Sequence, residues 1–259
     1  MHPVLFKIGE FSISTHGVLA VVGIVCTSAI TYLLAHRRLN CTYLFDNIVY
    51  AVLAGIIGAR LTYILLYPEQ FSSLNDMLFI WEGGLVSYGG FILGGLALAV
   101  ILKYQREPVL EWLDILAISF PVGIMFGRIG DIFAGEYFGV ATQSKLSLGG
   151  VVPVTLYEAI WDLMIFCVLF FCFRFSTKNY PRGTMLALTC GLYGGGRFVI
   201  DFWRDESDFF LRLSPGQVTS LMIAVISTVY LATLIAPIMK GKNNANNKDI
   251  FRKATKNIT

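Results

Sequence analysis

Long apolar runs separated by short polar breaks dominate the chain. Val18 to Ala35, Gly83 to Leu102 and Val218 to Met239 carry no charge, Asn47 to Tyr67 carries only Arg60, and Thr155 to Phe173 carries only Glu158 and Asp162. Two further runs are Ile115 to Gly127, which is short, and Thr184 to Phe202, which contains Arg197 and Asp201. A helix needs about 20 mostly apolar residues to cross a bilayer. The pattern therefore predicts an all-α integral membrane protein, a polytopic bundle of about seven transmembrane helices. The connection Tyr67 to Trp81 reads as polar and interfacial. Gly135 to Pro153 is dense in turn residues and predicts a small extracytoplasmic cap. The spans leave no room for a separate soluble domain, so residues 1–240 read as one unit. The lysine- and asparagine-rich segment 241–259 reads as a polar, disordered tail.

Composition agrees with this pattern. Hydrophobic residues make up 56% of the 259 positions and charged residues only 14%, with a mean hydropathy of +0.67. A soluble domain carries about 25% charged residues, too many for this chain to match. The net charge of +3 is modest and basic residues sit between the apolar runs, which excludes a nucleic-acid footprint. Cysteines 26, 41, 167, 172 and 190 form no C-x-x-C pair, and most sit in apolar runs as small buried hydrophobes. Met1 to Phe11 lacks the basic n-region and small-residue cleavage site of a signal peptide, so the first run is expected to be retained.

Charge also sets an expected orientation. Arg37 and Arg38, Lys103 and Arg106, then Arg174, Lys178 and Arg182, and the six basic residues from Lys240 onward follow alternate spans. They hold 13 of the 20 Lys and Arg. The positive-inside rule places that side in the cytoplasm, with the N-terminus outside and the tail inside. Lys7, Arg60, Arg128, Lys145, Arg197, Arg204 and Arg212 then fall on or near the outer half.

Ionisable groups inside spans are costly and need a partner or a cavity. Arg60, Arg128 and Arg197 lie near the outer ends of their helices, and guanidinium forks match phosphate or carboxylate oxygens. Taken singly, each arginine also fits a headgroup anchor or a partner of a nearby acid. Arg128 and Asp131 share a face at i,i+3, within a run that continues through Gly135, Glu136 and Gly139. Tyr193 and three glycines precede Arg197, whose spacing to Asp201 and Arg204 permits a charge ladder. A purely structural ladder fits the same spacing. Of the three histidines, His16 alone is placed at an outer mouth where it could act as a base near neutral pH.

Taken together, Pro3 to Gly17, Gly58 to Tyr67, Trp81 to Gly95, Gly127 to Gly139, Pro153 to Glu158, Tyr193 to Arg204 and Ser214 to Gln217 resemble the prolipoprotein diacylglyceryl transferase family. Gly127-Arg128-Ile129-Gly130-Asp131 through Gly135-Glu136 resembles the family signature. Three positions depart from the family's usual residues: His16 stands where a tyrosine is common, Tyr88 where a histidine precedes Gly89-Gly90, and Asp131 where asparagine is usual. Val152-Pro153-Val154-Thr155-Leu156-Tyr157-Glu158 stands in place of the usual His-Pro-x-Gln-Leu-Tyr-Glu.

The resemblance implies transfer of a diacylglyceryl group from phosphatidylglycerol to the lipobox cysteine of preprolipoprotein signal peptides, with glycerol 1-phosphate released. It implies a bacterial cytoplasmic (inner) membrane location within the lipid bilayer, a catalytic unit over 1–240, and neither metal nor cofactor. His16, Tyr88, Arg128 and Arg197 are then the expected catalytic set, with His16 the base. Arg60, Asp131, Glu136, Gly139, Tyr193, Asp201 and Arg204 are expected to bind substrate, Asp131 and Glu136 orienting the arginines. The alternative is a catalytically inert relative that binds phospholipid or lipoprotein signal peptides. A transporter fits less well, because the charges collect on one side and no inverted repeat is visible.

Overall fold

The structure, a computed structural model, describes residues 4–8, 11–71, 73, 76–79, 83–145, 147–175, 180–205 and 213–256. Trp81, Lys178 and Arg212, placed above by sequence, lie outside the described residues. An antiparallel hairpin of β1 (Val4–Ile8) and β2 (Phe11–Ser14), with Ile8 opposite Phe11, precedes the helices. The helices are α1 (Thr15–Ala35), α2 (Leu44–Leu66), α3 (Ser87–Tyr104), α4 (Val109–Ala134), α5 (Val154–Phe175), α6 (Thr184–Ile200) and α7 (Pro215–Lys256). Six of them are long and apolar enough to cross a membrane. Their outward faces expose large apolar side chains such as Leu65 (79%) and Ile92 (71%), which lipid tails satisfy and water does not.

The seventh helix, α6, has 17 residues, at the lower end of the roughly 17–25 that cross a bilayer. It stops before Phe202 because the chain tightens into a 3-10 turn over Asp201–Trp203, where Asp201 is buried. α7 runs on to Lys256, with no proline after Pro237. The chain groups into two compact units, Met1–Thr27 with Leu113–Thr259, and Ser28–Trp112.

In the smaller unit α2 packs on α3, with Gly58 and Gly89 back to back. Arg60, 7% exposed, organises the connection between them. Its Nε donates to the Met77 carbonyl (2.9 Å), Nη1 to Gly83 (2.6 Å) and Gly84 (3.1 Å), and Nη2 to Asp76 (2.7 Å) and Phe79 (3.1 Å). A guanidinium has five N–H donors, so all are spent on backbone. In this geometry it fastens the loop between α2 and α3.

In the larger unit, local capping decides where helices begin. Ser14 Oγ accepts the Gly17 N–H at 3.0 Å and starts α1. At α7, Gln217 N–H donates to Ser214 Oγ (3.2 Å) while Ser214 N–H donates to Gln217 Oε1 (3.0 Å), a reciprocal capping box with Pro215 at the first helical position. The start of α6 is capped from afar, because Asp114 of α4 accepts the N–H groups of Gly183 (2.6 Å) and Leu186 (2.9 Å). That carboxylate satisfies orphan donors at the positive end of the helix. α6 then packs between α5 and α7.

Candidate active site

The site lies in the larger unit, where the start of α1, the end of α4, the first turns of α5 and the end of α6 converge. α4 terminates at Gly135, whose φ of +88° suits a residue without Cβ, and the Glu136 N–H returns to the Asp131 carbonyl at 2.9 Å. This termination leaves Arg128 and Asp131 on the last turn, paired at 3.3 Å. Close packing brings α1 onto the same turn: a Cβ on Gly130 would stand 2.9 Å from His16 Cα. Glycine at 130 is thus a steric requirement for His16 to reach Asp131. His16 Nδ1 and Asp131 Oδ1 are 2.7 Å apart.

Glu158 joins the arginines. Its Oε2 lies 3.0 Å from Arg128 Nε, and its Oε1 lies 2.6 Å from Arg204 Nη2 and 3.4 Å from Arg197 Nη1. Asp201 closes the far side, with Oδ1 at 3.0 Å from Arg204 Nε and Oδ2 at 3.4 Å from Arg197 Nε. Burial pushes the Asp201 carboxyl above its ordinary range, against the pull of Arg197 and Arg204. The result is one continuous chain of charges from His16 through Asp131, Arg128 and Glu158 to Arg197, Arg204 and Asp201. The i,i+3 and i,i+4 pairs expected from sequence are present. Glu158 and Asp162, noticed above as acids within an apolar run, were not assigned to the site; Glu158 is its central ligand.

The cap holds Arg204 in place. Gly139 pairs with Arg204 as an antiparallel bridge, flanked by hydrogen bonds from Val140 N–H to the Trp203 carbonyl (3.0 Å) and from Asp205 N–H to Phe138 (2.9 Å). A Cβ on Gly139 would overlap the Val152 carbonyl oxygen, so this residue serves backbone approach. The Phe138 ring lies 5.2 Å from the Arg204 guanidinium carbon. Glu136 is exposed and Tyr193 lines a cavity beside Arg128 and Arg197. Tyr88 sits on the first turn of α3 in the smaller unit and is 41% exposed.

A sequence model of the prolipoprotein diacylglyceryl transferase family matches residues 3–233. The chain belongs to this family. A phosphatidylglycerol–prolipoprotein diacylglyceryl transferase of Symbiobacterium thermophilum is 30% identical over 89% of this chain and 91% of its own length. One from Wolbachia pipientis subsp. Culex pipiens is 32% identical over 90% and 95%. A third, numbered 1 in Clostridium perfringens, is 29% identical over 91% and 95%. Membership makes the transferase class and the membrane setting of this chain those of the prolipoprotein diacylglyceryl transferases. Two of the three positions noted above as departures, His16 and Asp131, are the two that pair.

Proposed function

We propose that this chain transfers the diacylglyceryl group of phosphatidylglycerol to the cysteine thiol of a preprolipoprotein lipobox, at the outer face of the bacterial cytoplasmic membrane. The observation that carries this reading is the His16–Asp131 pair joined through Arg128 to a buried set of guanidiniums. With Nδ1–H donating to Asp131, the imidazole keeps Nε2 as the acceptor. A thiol with an ordinary pKa of about 8.5 is a poor nucleophile until deprotonated.

In the proposed step His16 Nε2 takes the thiol proton while sulfur attacks the glyceryl carbon that bears the phosphate ester. The C–S bond forms as the C–O bond breaks, and the electron pair leaves on the phosphate oxygen of glycerol 1-phosphate. Arg128 and Arg197 stabilise that growing charge, with their forks held by Glu158, Asp131 and Asp201, so little reorganisation is needed during reaction. The proton on His16 then passes to the released phosphate. Arg204 positions Glu158 and Asp201. The protein keeps its N-terminus outside and its C-terminus in the cytoplasm, which puts the cap and the site on the side where signal peptides emerge.

The test is incubation of purified protein with phosphatidylglycerol and a lipobox peptide, followed by mass spectrometry. A thioether-linked diacylglyceryl peptide is expected. Binding of both substrates without that product would favour the inert-relative reading instead.

A further inference from the structure

Behind the arginines lies a polar atom that the charge chain leaves unused. Asp162 is 1% exposed on α5, one turn beyond Glu158. Its Oδ2 has no hydrogen-bond partner among the described residues. It lines a cavity of about 10 Å³ together with Arg128, Glu158, Trp161, Tyr193 and Arg197. A buried carboxyl oxygen without a partner costs free energy. Such an orphan beside a reaction site marks a place for a group that arrives with the substrate.

The size and chemistry of the space choose that group. A volume near 10 Å³ holds about one water-sized group, which admits a hydroxyl and excludes a phosphate. A carboxyl pairs with a hydroxyl in either protonation state, accepting from it when ionised and donating to it when neutral. An ionised carboxyl beside a phosphate would instead repel it. The phosphate therefore belongs on the guanidinium side, with a hydroxyl on the Asp162 side.

We infer that Asp162 is a specificity residue that hydrogen-bonds a hydroxyl of the lipid headgroup, so that the site selects a phosphoglycerol headgroup over one lacking hydroxyls. This rests on the transfer reading above and deepens it. Trp161 fixes the wall of the cavity, because its Nε1–H donates to the Leu192 carbonyl at 3.0 Å and ties α5 to α6.

The test compares phosphatidylglycerol with phosphatidylpropanol, which carries the same phosphodiester and no headgroup hydroxyl, at equal acyl composition. For the wild type, kcat/KM is expected to favour phosphatidylglycerol. Asp162→Leu should bring the ratio between the two lipids down by roughly ten- to a hundredfold, the usual loss when a hydrogen bond to a charged group is removed. Asp162→Asn, which keeps an acceptor oxygen and a donor, should retain most of the preference. An unchanged ratio in folded Asp162→Leu, or a wild type indifferent to the two lipids, overturns the inference and leaves the cavity a water site. If the wild type transfers from neither lipid, the transfer reading fails by itself. The inference is then decided by binding of the two lipids in nanodiscs, where a preference for phosphatidylglycerol lost in Asp162→Leu upholds it and equal binding overturns it.

Discussion

His16 Nδ1 stands 2.7 Å from Asp131 Oδ1, and the two residues come from helices far apart in sequence. Both are among the positions noted above where this sequence departs from the pattern it resembles. A tyrosine and an asparagine can share a hydrogen bond, and so can a histidine and an aspartate, but only the second pair provides a proton acceptor tuned for neutral pH. In the proposed step the carboxylate fixes the tautomer and stabilises the imidazolium formed when the thiol proton is taken. A double-mutant cycle checks this coupling. His16→Ala and Asp131→Leu should each lower turnover, and the double variant should lose little more than His16→Ala alone. Additive losses would mean that the two side chains act independently.

The arginines are expected to act as forks and not as point charges. Arg128 and Arg197 each contact acidic groups through Nε and Nη1 together, a geometry that an ammonium does not reproduce. Arg128→Lys and Arg197→Lys should lower kcat by roughly 10²- to 10³-fold, the usual loss of one electrostatic donor. Near-normal kcat in both, with the protein folded in membranes, would reduce them to anchors.

Gly130 makes the dyad possible by allowing α1 to approach α4. Gly130→Ala should push His16 away from Asp131 and lower transfer several-fold or more. Gly127→Ala is the control on the same turn, since no atom lies within 4 Å of a Cβ there. Equal activities of the two variants would contradict the steric argument.

Arg60 carries a stability expectation. Arg60→Leu strips five carbonyls of their donors, and unsatisfied buried acceptors cost about 1–3 kcal/mol each when water cannot reach them. The thermal midpoint in detergent should fall by several degrees. An unchanged midpoint would return Arg60 to the pool of candidate anion ligands.

Orientation is checked by labelling in a cysteine-free background. Lys145→Cys, exposed in the cap, should react with an impermeant maleimide added from outside, and Asn246→Cys should not. The reverse pattern would place the site on the cytoplasmic side.

The spans were legible because apolar length alone decides them. The pairs Arg128–Asp131, Arg197–Asp201 and Asp201–Arg204 were legible because both partners lie within one turn of helix. What stayed hidden needs packing between distant elements. Glu158 gave a signal, a carboxylate inside an apolar run, but its three arginine partners come from α4 and from α6 and the turn after it. The acceptors of Arg60 are backbone carbonyls, which every residue carries, so no side-chain pattern announces them. His16 was singled out by position, while its partner Asp131 had been assigned to the arginines, because the approach of α1 to α4 depends on the missing Cβ of Gly130. The end of α6 was hidden by apolar residues that continue past Ile200 into a 3-10 turn.

The most direct measurement is the rate of thioether formation by His16→Gly, followed by mass spectrometry with phosphatidylglycerol and a lipobox peptide, with and without added imidazole. Wild-type protein should form the product, His16→Gly should be slower by about 10²-fold or more, and imidazole should restore part of the rate. Undiminished product formation by His16→Gly in the absence of imidazole would contradict the assignment of His16 as the base.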